Sequence, residues 1–193
     1  MFKIICVINR HLCGDLKKRA GELYKAGIPV ILREKDLRDT EYEKLAIDII
    51  EVCPDVILHT YTATAKRMGV RKIHLPFPML NENIKHNFEI AGVSVHSPEE
   101  AKKAEKMGAD YVTAGHIFTT DCKKGLEPRG LEFLKETVQA VNIPVYAIGG
   151  IKPENIALIE QTGAAGACIM SGFMQCGDTE KYLDEIYQNL LKK

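Results

Sequence analysis

His116 is the side chain whose type and place point most directly to chemistry. It follows Ala109-Asp110-Tyr111-Val112-Thr113-Ala114-Gly115, which reads as a short buried strand ending in a glycine that lets the backbone turn. An imidazole titrates near neutrality, at about 6.5, so it moves protons without extreme tuning. At the exit of a parallel strand it is a candidate general acid/base. A polar stretch, Thr119 to Gly125, comes next, and in it Cys122 lies beside Lys123, a neighbour that lowers a thiol's pKa.

Two further places suit an anion. Val145-Tyr146-Ala147-Ile148-Gly149-Gly150 ends in two glycines, where backbone N–H groups approach a ligand closely. Cys168-Ile169-Met170-Ser171-Gly172 ends in a hydroxyl and a glycine opening a helical turn. A third place is cationic. In Ile31-Leu32-Arg33-Glu34-Lys35, Arg33 and Lys35 point the same way if the strand continues, because side chains alternate. They would face a carboxylate or a phosphate, or else form part of a solvated charge run.

No metal site is expected. His11, His59, His74, His86 and His96 show no ligand spacing among themselves. The stretches His59-Thr60-Tyr61 and His74-Leu75-Pro76 contain no acid to converge on a cation. Each of these histidines reads more readily as a satisfied, half-buried side chain than as a ligand.

The elements that must position these residues alternate along the chain. Strands are expected at 3–8, 28–33, 55–59, 72–75, 90–95, 110–114, 144–148 and 165–170, with amphipathic stretches such as 15–25, 41–52 and 131–141 between them. Ser97-Pro98-Glu99-Glu100 predicts a helix start with a capping box, and Gly27, Gly69, Gly108 and Gly163 predict helix ends. Eight apolar strands, each followed by a helix or turn, predict an α/β fold: one compact (β/α)8 TIM barrel over 1–193. An open doubly wound sheet would need fewer strands. In a barrel the site lies at the C-terminal strand ends, and the loops after strands 7 and 8 often hold phosphate. That is where Gly149, Gly150, Ser171 and Gly172 fall.

The bulk numbers narrow the function classes. The chain has 26 basic and 26 acidic side chains and no net charge, so nothing in it favours nucleic acid. No apolar run approaches the roughly 18 residues of a membrane span. The six cysteines include no Cys-x-x-Cys pair, which suggests a reducing cytoplasm and no disulfide framework.

Several of these segments together resemble the thiamine phosphate synthase/TenI superfamily. They are Leu32-Arg33-Glu34-Lys35, Gly92-Val93-Ser94-Val95-His96-Ser97, Gly108-Ala109-Asp110-Tyr111-Val112, Ile148-Gly149-Gly150 and Met170-Ser171-Gly172. The likeness covers nearly the whole chain and implies a (β/α)8 barrel. The synthase joins a pyrimidine diphosphate to a thiazole phosphate with Mg2+. Its pattern has Asn-Asp after strand 3 and His-Leu-Gly-Gln-x-Asp after strand 4, and both carboxylates are missing here. Gly115-His116-Ile117-Phe118 and the residues after it are similar to the TenI branch. That likeness implies a cofactor-free thiazole tautomerase, an isomerase with His116 as proton shuttle. Gly149, Gly150, Ser171 and Gly172 would then hold the phosphate of a small thiazole phosphate, and Arg33 and Lys35 would face its carboxylate. The 119–127 stretch would close over the site from Gly115 and Gly125. A divergent Mg2+-dependent synthase and a non-catalytic binder of thiazole or thiamine phosphates are the alternatives. His59, Tyr61 and Phe77 match neither pattern, and a ring there would stack on a heteroaromatic ligand or pack in the core. A homodimer is the commonest symmetric state and is expected.

Overall fold

The eight expected strands close into one barrel, parallel throughout and in sequence order, in a computed structural model describing residues 2–120 and 125–191. They are β1 Lys3–Ile8, β2 Val30–Leu32, β3 Ile57–His59, β4 Lys72–Pro76, β5 Ile90–Val95, β6 Tyr111–Gly115, β7 Val145–Ile148 and β8 Gly166–Ile169. The helices between them are α1 Leu16–Lys25, α2 Asp39–Ile50, α3 Thr62–Arg67, α4 Ile84–Asn87, α5 Pro98–Lys106, α6 Gly130–Ala140, α7 Ile156–Glu160, α8 Ser171–Gln175 and α9 Thr179–Leu191. No described helix is long and apolar enough to cross a membrane.

Strand alternation divides the apolar residues into two cores. Ile4, Cys6 and Ile8 of β1 face outward into the layer between strands and helices. Ile5 and Val7 face inward, with Ile31, Ile57, Tyr111, Tyr146 and Cys168, and fill the barrel. Packing inside the barrel demands one small residue. A Cβ on Gly92 of β5 would lie 2.0 Å from the Tyr111 ring, so only glycine leaves room for that phenol.

The local signals hold with two adjustments. Gly27, Gly69, Gly108 and Gly163 all adopt positive φ after their helices. Ser97 Oγ caps α5 by accepting from the Glu100 N–H at 3.1 Å. Glu100, however, reaches back to the N–H of His96 at 2.7 Å, one residue before the cap, and not to Ser97. β2 also stops at Leu32, short of the expected 33. The chain stays against β1 for one more bond, from the Arg33 N–H to the Ile8 carbonyl at 3.1 Å.

Candidate active site

The polar groups gather at the C-terminal strand ends. His116 directly follows β6 and is 4% exposed; its peptide bond to Gly115 is cis. From there the chain runs along the end of β7. The Ile117 N–H donates to the Ile148 carbonyl at 3.1 Å and the Phe118 N–H to the Gly149 carbonyl at 2.9 Å. Gly149 and Gly150 sit at φ 105° and 68°. A Cβ on Gly150 would stand 2.4 Å from the Thr119 carbonyl oxygen, and one on Gly149 would stand 3.1 Å from the His116 Cα. The Gly-Gly pair therefore brings the residues after β6 against β7, whatever else it does.

Arg129 holds the same segment from the other side. Its N–H donates to the His116 carbonyl at 2.8 Å, and the Gly130 N–H donates to that of Ile117 at 3.2 Å. Its Nη1 donates to the Gly115 carbonyl at 2.7 Å. Beside β7, Ser171 is the exposed first residue of α8. Gly172 has a packing reason of its own, since a Cβ there would meet the Tyr182 hydroxyl at 2.1 Å. The fold thus brings His116, Gly149, Gly150, Ser171 and Gly172 to the ends of the consecutive strands β6, β7 and β8. Cys122 and the middle of the expected closing stretch lie outside the described residues.

The β2 end is organised by a residue that the sequence reading passed over. Glu34 is fully buried. Its Oε1 accepts the Arg10 N–H at 2.6 Å, and its Oε2 accepts Arg10 Nη1 at 2.6 Å and Asn9 Nδ2 at 3.0 Å. Arg10 also grips Asp36 through Nη1 at 2.9 Å and Nη2 at 2.7 Å, and this holds the Asp36 carboxyl well below the usual range. The clamp fixes the backbone between Arg33 and Lys35, with Arg33 half-buried and Lys35 exposed. Both residues follow the end of β2, and their charges help to lower the pKa of His59. Arg10→Ala would strip the guanidinium from buried Glu34 and leave it the backbone N–H of residue 10 and Asn9 Nδ2. Unfolding in urea should then show a lower midpoint, because a buried carboxyl that loses its ion-pair partner costs more than the pair contributed. An unchanged midpoint would mean that the clamp is idle.

Under the mouth lies a polar cluster inside the barrel. The His59 and His74 rings stack with centroids 5.4 Å apart. His74 Nδ1 meets the Tyr111 hydroxyl at 3.0 Å, its Nε2 meets Ser94 Oγ at 2.8 Å, and Thr113 Oγ1 donates to Ser94 Oγ at 3.1 Å. Burial, His74, and the charges of Arg33 and Lys35 lower His59 to about 2. Burial, with Arg33 behind it, lowers His74 to about 3. Both imidazoles are therefore neutral hydrogen-bonding groups, the satisfied histidines that were expected. Ser94 and Thr113 were missed. Their signal was a polar residue alone at an inward position of an otherwise apolar strand.

The aromatic side chain after β3 belongs to the core. Tyr61 stacks on Tyr42 at 3.9 Å and donates its hydroxyl to the Leu37 carbonyl at 2.5 Å. Phe77 packs against the same core.

A divalent cation does not fit the described residues at this mouth. Where the synthase pattern has an aspartate after strand 3, Thr60 stands at φ 75° with its hydroxyl 2.6 Å from His59 Nδ1. The matching position after strand 4 is Met79, an exposed thioether. Mg2+ prefers hard carboxylate oxygens, and neither place offers one. Among the described residues, one group of three potential ligands lies close together, His11, Glu34 and Asp36. There the Arg10 guanidinium already neutralises both carboxylates.

Fold and mouth together define a small (β/α)8 barrel with cations, glycines and hydroxyls at its C-terminal strand ends. The chain belongs to the thiamine monophosphate synthase family, whose pattern it matches over residues 4–173. It is 32% identical to the thiamine-phosphate synthase of Fusobacterium nucleatum, covering 97% of this chain and 96% of that one. It is 44% identical to the thiamine-phosphate synthase of Pyrococcus abyssi, covering 95% and 92%. Its backbone is similar to that of thiamine phosphate pyrophosphorylase from Pyrococcus furiosus, with a TM-score of 0.84, 28% identity, and coverage of 98% and 95%. These relatives overturn the expected tautomerase. That expectation rested on the two missing carboxylates and on Gly115-His116 with the residues beside it, whereas likeness to synthases extends over nearly the whole chain. The relatives favour the synthase alternative, a transferase, over it.

Proposed function

We propose that the protein is a transferase of thiamine biosynthesis, joining a pyrimidine diphosphate to a thiazole phosphate with release of diphosphate. The observation that carries this reading is the near full-length likeness to thiamine-phosphate synthases. The site is consistent with it. Two phosphate-bearing substrates need two anion stations, and Arg33 and Lys35 after β2, with Gly149, Gly150, Ser171 and Gly172 at the ends of β7 and β8, would supply them.

In the reaction the lone pair of the thiazole ring nitrogen forms a bond to the carbon carrying the diphosphate. The carbon–oxygen bond breaks, and diphosphate leaves with its electrons. Negative charge grows on the leaving oxygen, so the most useful groups are fixed donors and cations near it. Arg33 and Lys35 would take that role. The glycine and serine station would hold the thiazole phosphate in line for attack, where orientation alone lowers the barrier. Buried His116 would help to shape the floor between the stations. No step is assigned to a metal, because the donor set does not fit one.

The test is release of inorganic diphosphate from the two substrates, with and without EDTA. Release is expected only when both substrates are present, and it is expected to survive chelation. Absence of release under every condition would sink the transferase reading. Release that stops with EDTA would instead reveal a cation seat that these residues do not predict.

A further inference from the structure

The site described above uses cations on one side of the mouth only. Across the ring from β2, at the end of β6, stands Arg129. Its side chain is exposed yet held in place. Nη1 is bonded to the Gly115 carbonyl at 2.7 Å and lies 3.5 Å from His96 Nδ1. The guanidinium carbon sits 5.4 Å over the Phe133 ring. A free arginine would lose rotamer entropy on gripping a ligand, and here the fold has already removed most of that cost.

What the side chain lacks is a carboxylate. Arg10, Arg19, Arg38, Arg67 and Arg71 all meet one. Arg129 meets none among the described residues, and its hydrogen bonds there use Nη1 alone. Among the described residues the Nε and Nη2 edge, with N–H groups set for a bidentate oxyanion, remains for a ligand. A pre-ordered guanidinium at a barrel mouth, with that edge unspent, is the usual hardware of phosphate recognition.

We propose that Arg129 is a substrate-binding residue that takes a phosphate or diphosphate oxygen of the ligand from the side opposite Arg33 and Lys35. The inference rests on the reading that the ligands are phosphate esters. With cations on both sides, an anionic group is held by side chains at a mouth where the described residues offer no free carboxylate seat for a bridging cation.

Calorimetry with inorganic phosphate and inorganic diphosphate, in EDTA, tests this on the intact chain. R129Q should weaken at least one of the two anions about tenfold or more, the loss of a charge-assisted bidentate contact. R129K should fall between, since it keeps the charge but not the fork. The anion that responds tells which substrate group Arg129 meets. Melting temperatures separate this from damage to the clamp on Gly115: if R129Q does not fold, R129K alone must still show weakened binding at wild-type stability. Wild-type affinity for both anions in R129Q would overturn the proposal, as would a wild type that binds neither. Loss of anion affinity in R129Q from a protein that releases no diphosphate would leave Arg129 standing and remove the transferase. Unchanged kcat and KM in R129Q would do the reverse.

Discussion

Between pH 7 and pH 5 the barrel is expected to lose about 2 kcal/mol of stability for each of His59 and His74, or about 4 kcal/mol together. Both groups are held far below the ordinary imidazole value, at about 2 and about 3. The sign follows from proton counting. As pH falls through 6.5 the unfolded chain takes up a proton at each histidine and the folded chain does not, so acid favours unfolding. Stability is complete above the unfolded value and drains away toward the folded one. The cause is geometric. His59 and His74 are 5% and 3% exposed, their rings stack, and their neighbours are the neutral hydroxyls of Thr60, Ser94 and Tyr111 and the cations Arg33 and Lys35. No carboxylate compensates a proton there among the described contacts. Against a typical total of about 5–15 kcal/mol, a loss of this size is large. Urea midpoints at pH 7, 6 and 5 measure it, and the variant with His59→Gln and His74→Gln should show a flatter dependence. A wild-type midpoint that does not move over this range would show that the pair is not buried as described. The carboxylates do not mimic the effect, because Glu41, for example, is held at about 2 and its linkage lies below this window.

Gly150→Ala is the second large effect. A methyl at φ 68° suffers the left-handed penalty of about 1 kcal/mol. It would also lie 2.4 Å from the Thr119 carbonyl oxygen and 2.8 Å from Phe118, and these neighbours include backbone that cannot swing away. Overpacking of this kind adds about 1–3 kcal/mol. The total of about 2–4 kcal/mol should lower the melting temperature by about 5–15 °C in a chain of this size. The function should suffer more than the fold. Relief comes by separating the residues after β6 from β7, which breaks the bond from the Phe118 N–H to the Gly149 carbonyl and shifts the segment that carries His116. Phosphate binding should fall with it. Gly177→Ala is the control, since a Cβ there meets nothing within 4 Å. Equal melting temperatures and equal phosphate affinity for Gly150→Ala and wild type would refute this reading of the Gly-Gly pair.

How much of this was legible in the sequence depends on the range of the interaction involved. The eight strands were readable because each is a short apolar run bounded by its own turn or cap residues, as at Asp15, Ser97 and Gly108. Their assembly into a barrel followed from the count of eight. The strand-end positions of His116, Gly149, Gly150 and Ser171 followed too, because a parallel barrel puts every strand's C-terminus at one mouth. Chemistry was less legible than placement. The two missing carboxylates and the Gly115-His116 segment are local signals, and the full-length likeness to synthases that the relatives show outweighs them.

The sequence by itself determined the architecture and which residues stand at the mouth, because strand period, caps and turn glycines act within a few residues. Only the tertiary structure decided how those residues are charged and held. Glu34 looked like part of a charge run until Arg10, 24 residues earlier in the chain, closed on it. His59 and His74 became neutral when the barrel buried them together. Arg129 reached its place because the start of α6 folds back onto the end of β6. Burial and pairing depend on which distant elements meet, and no window of local sequence contains that information.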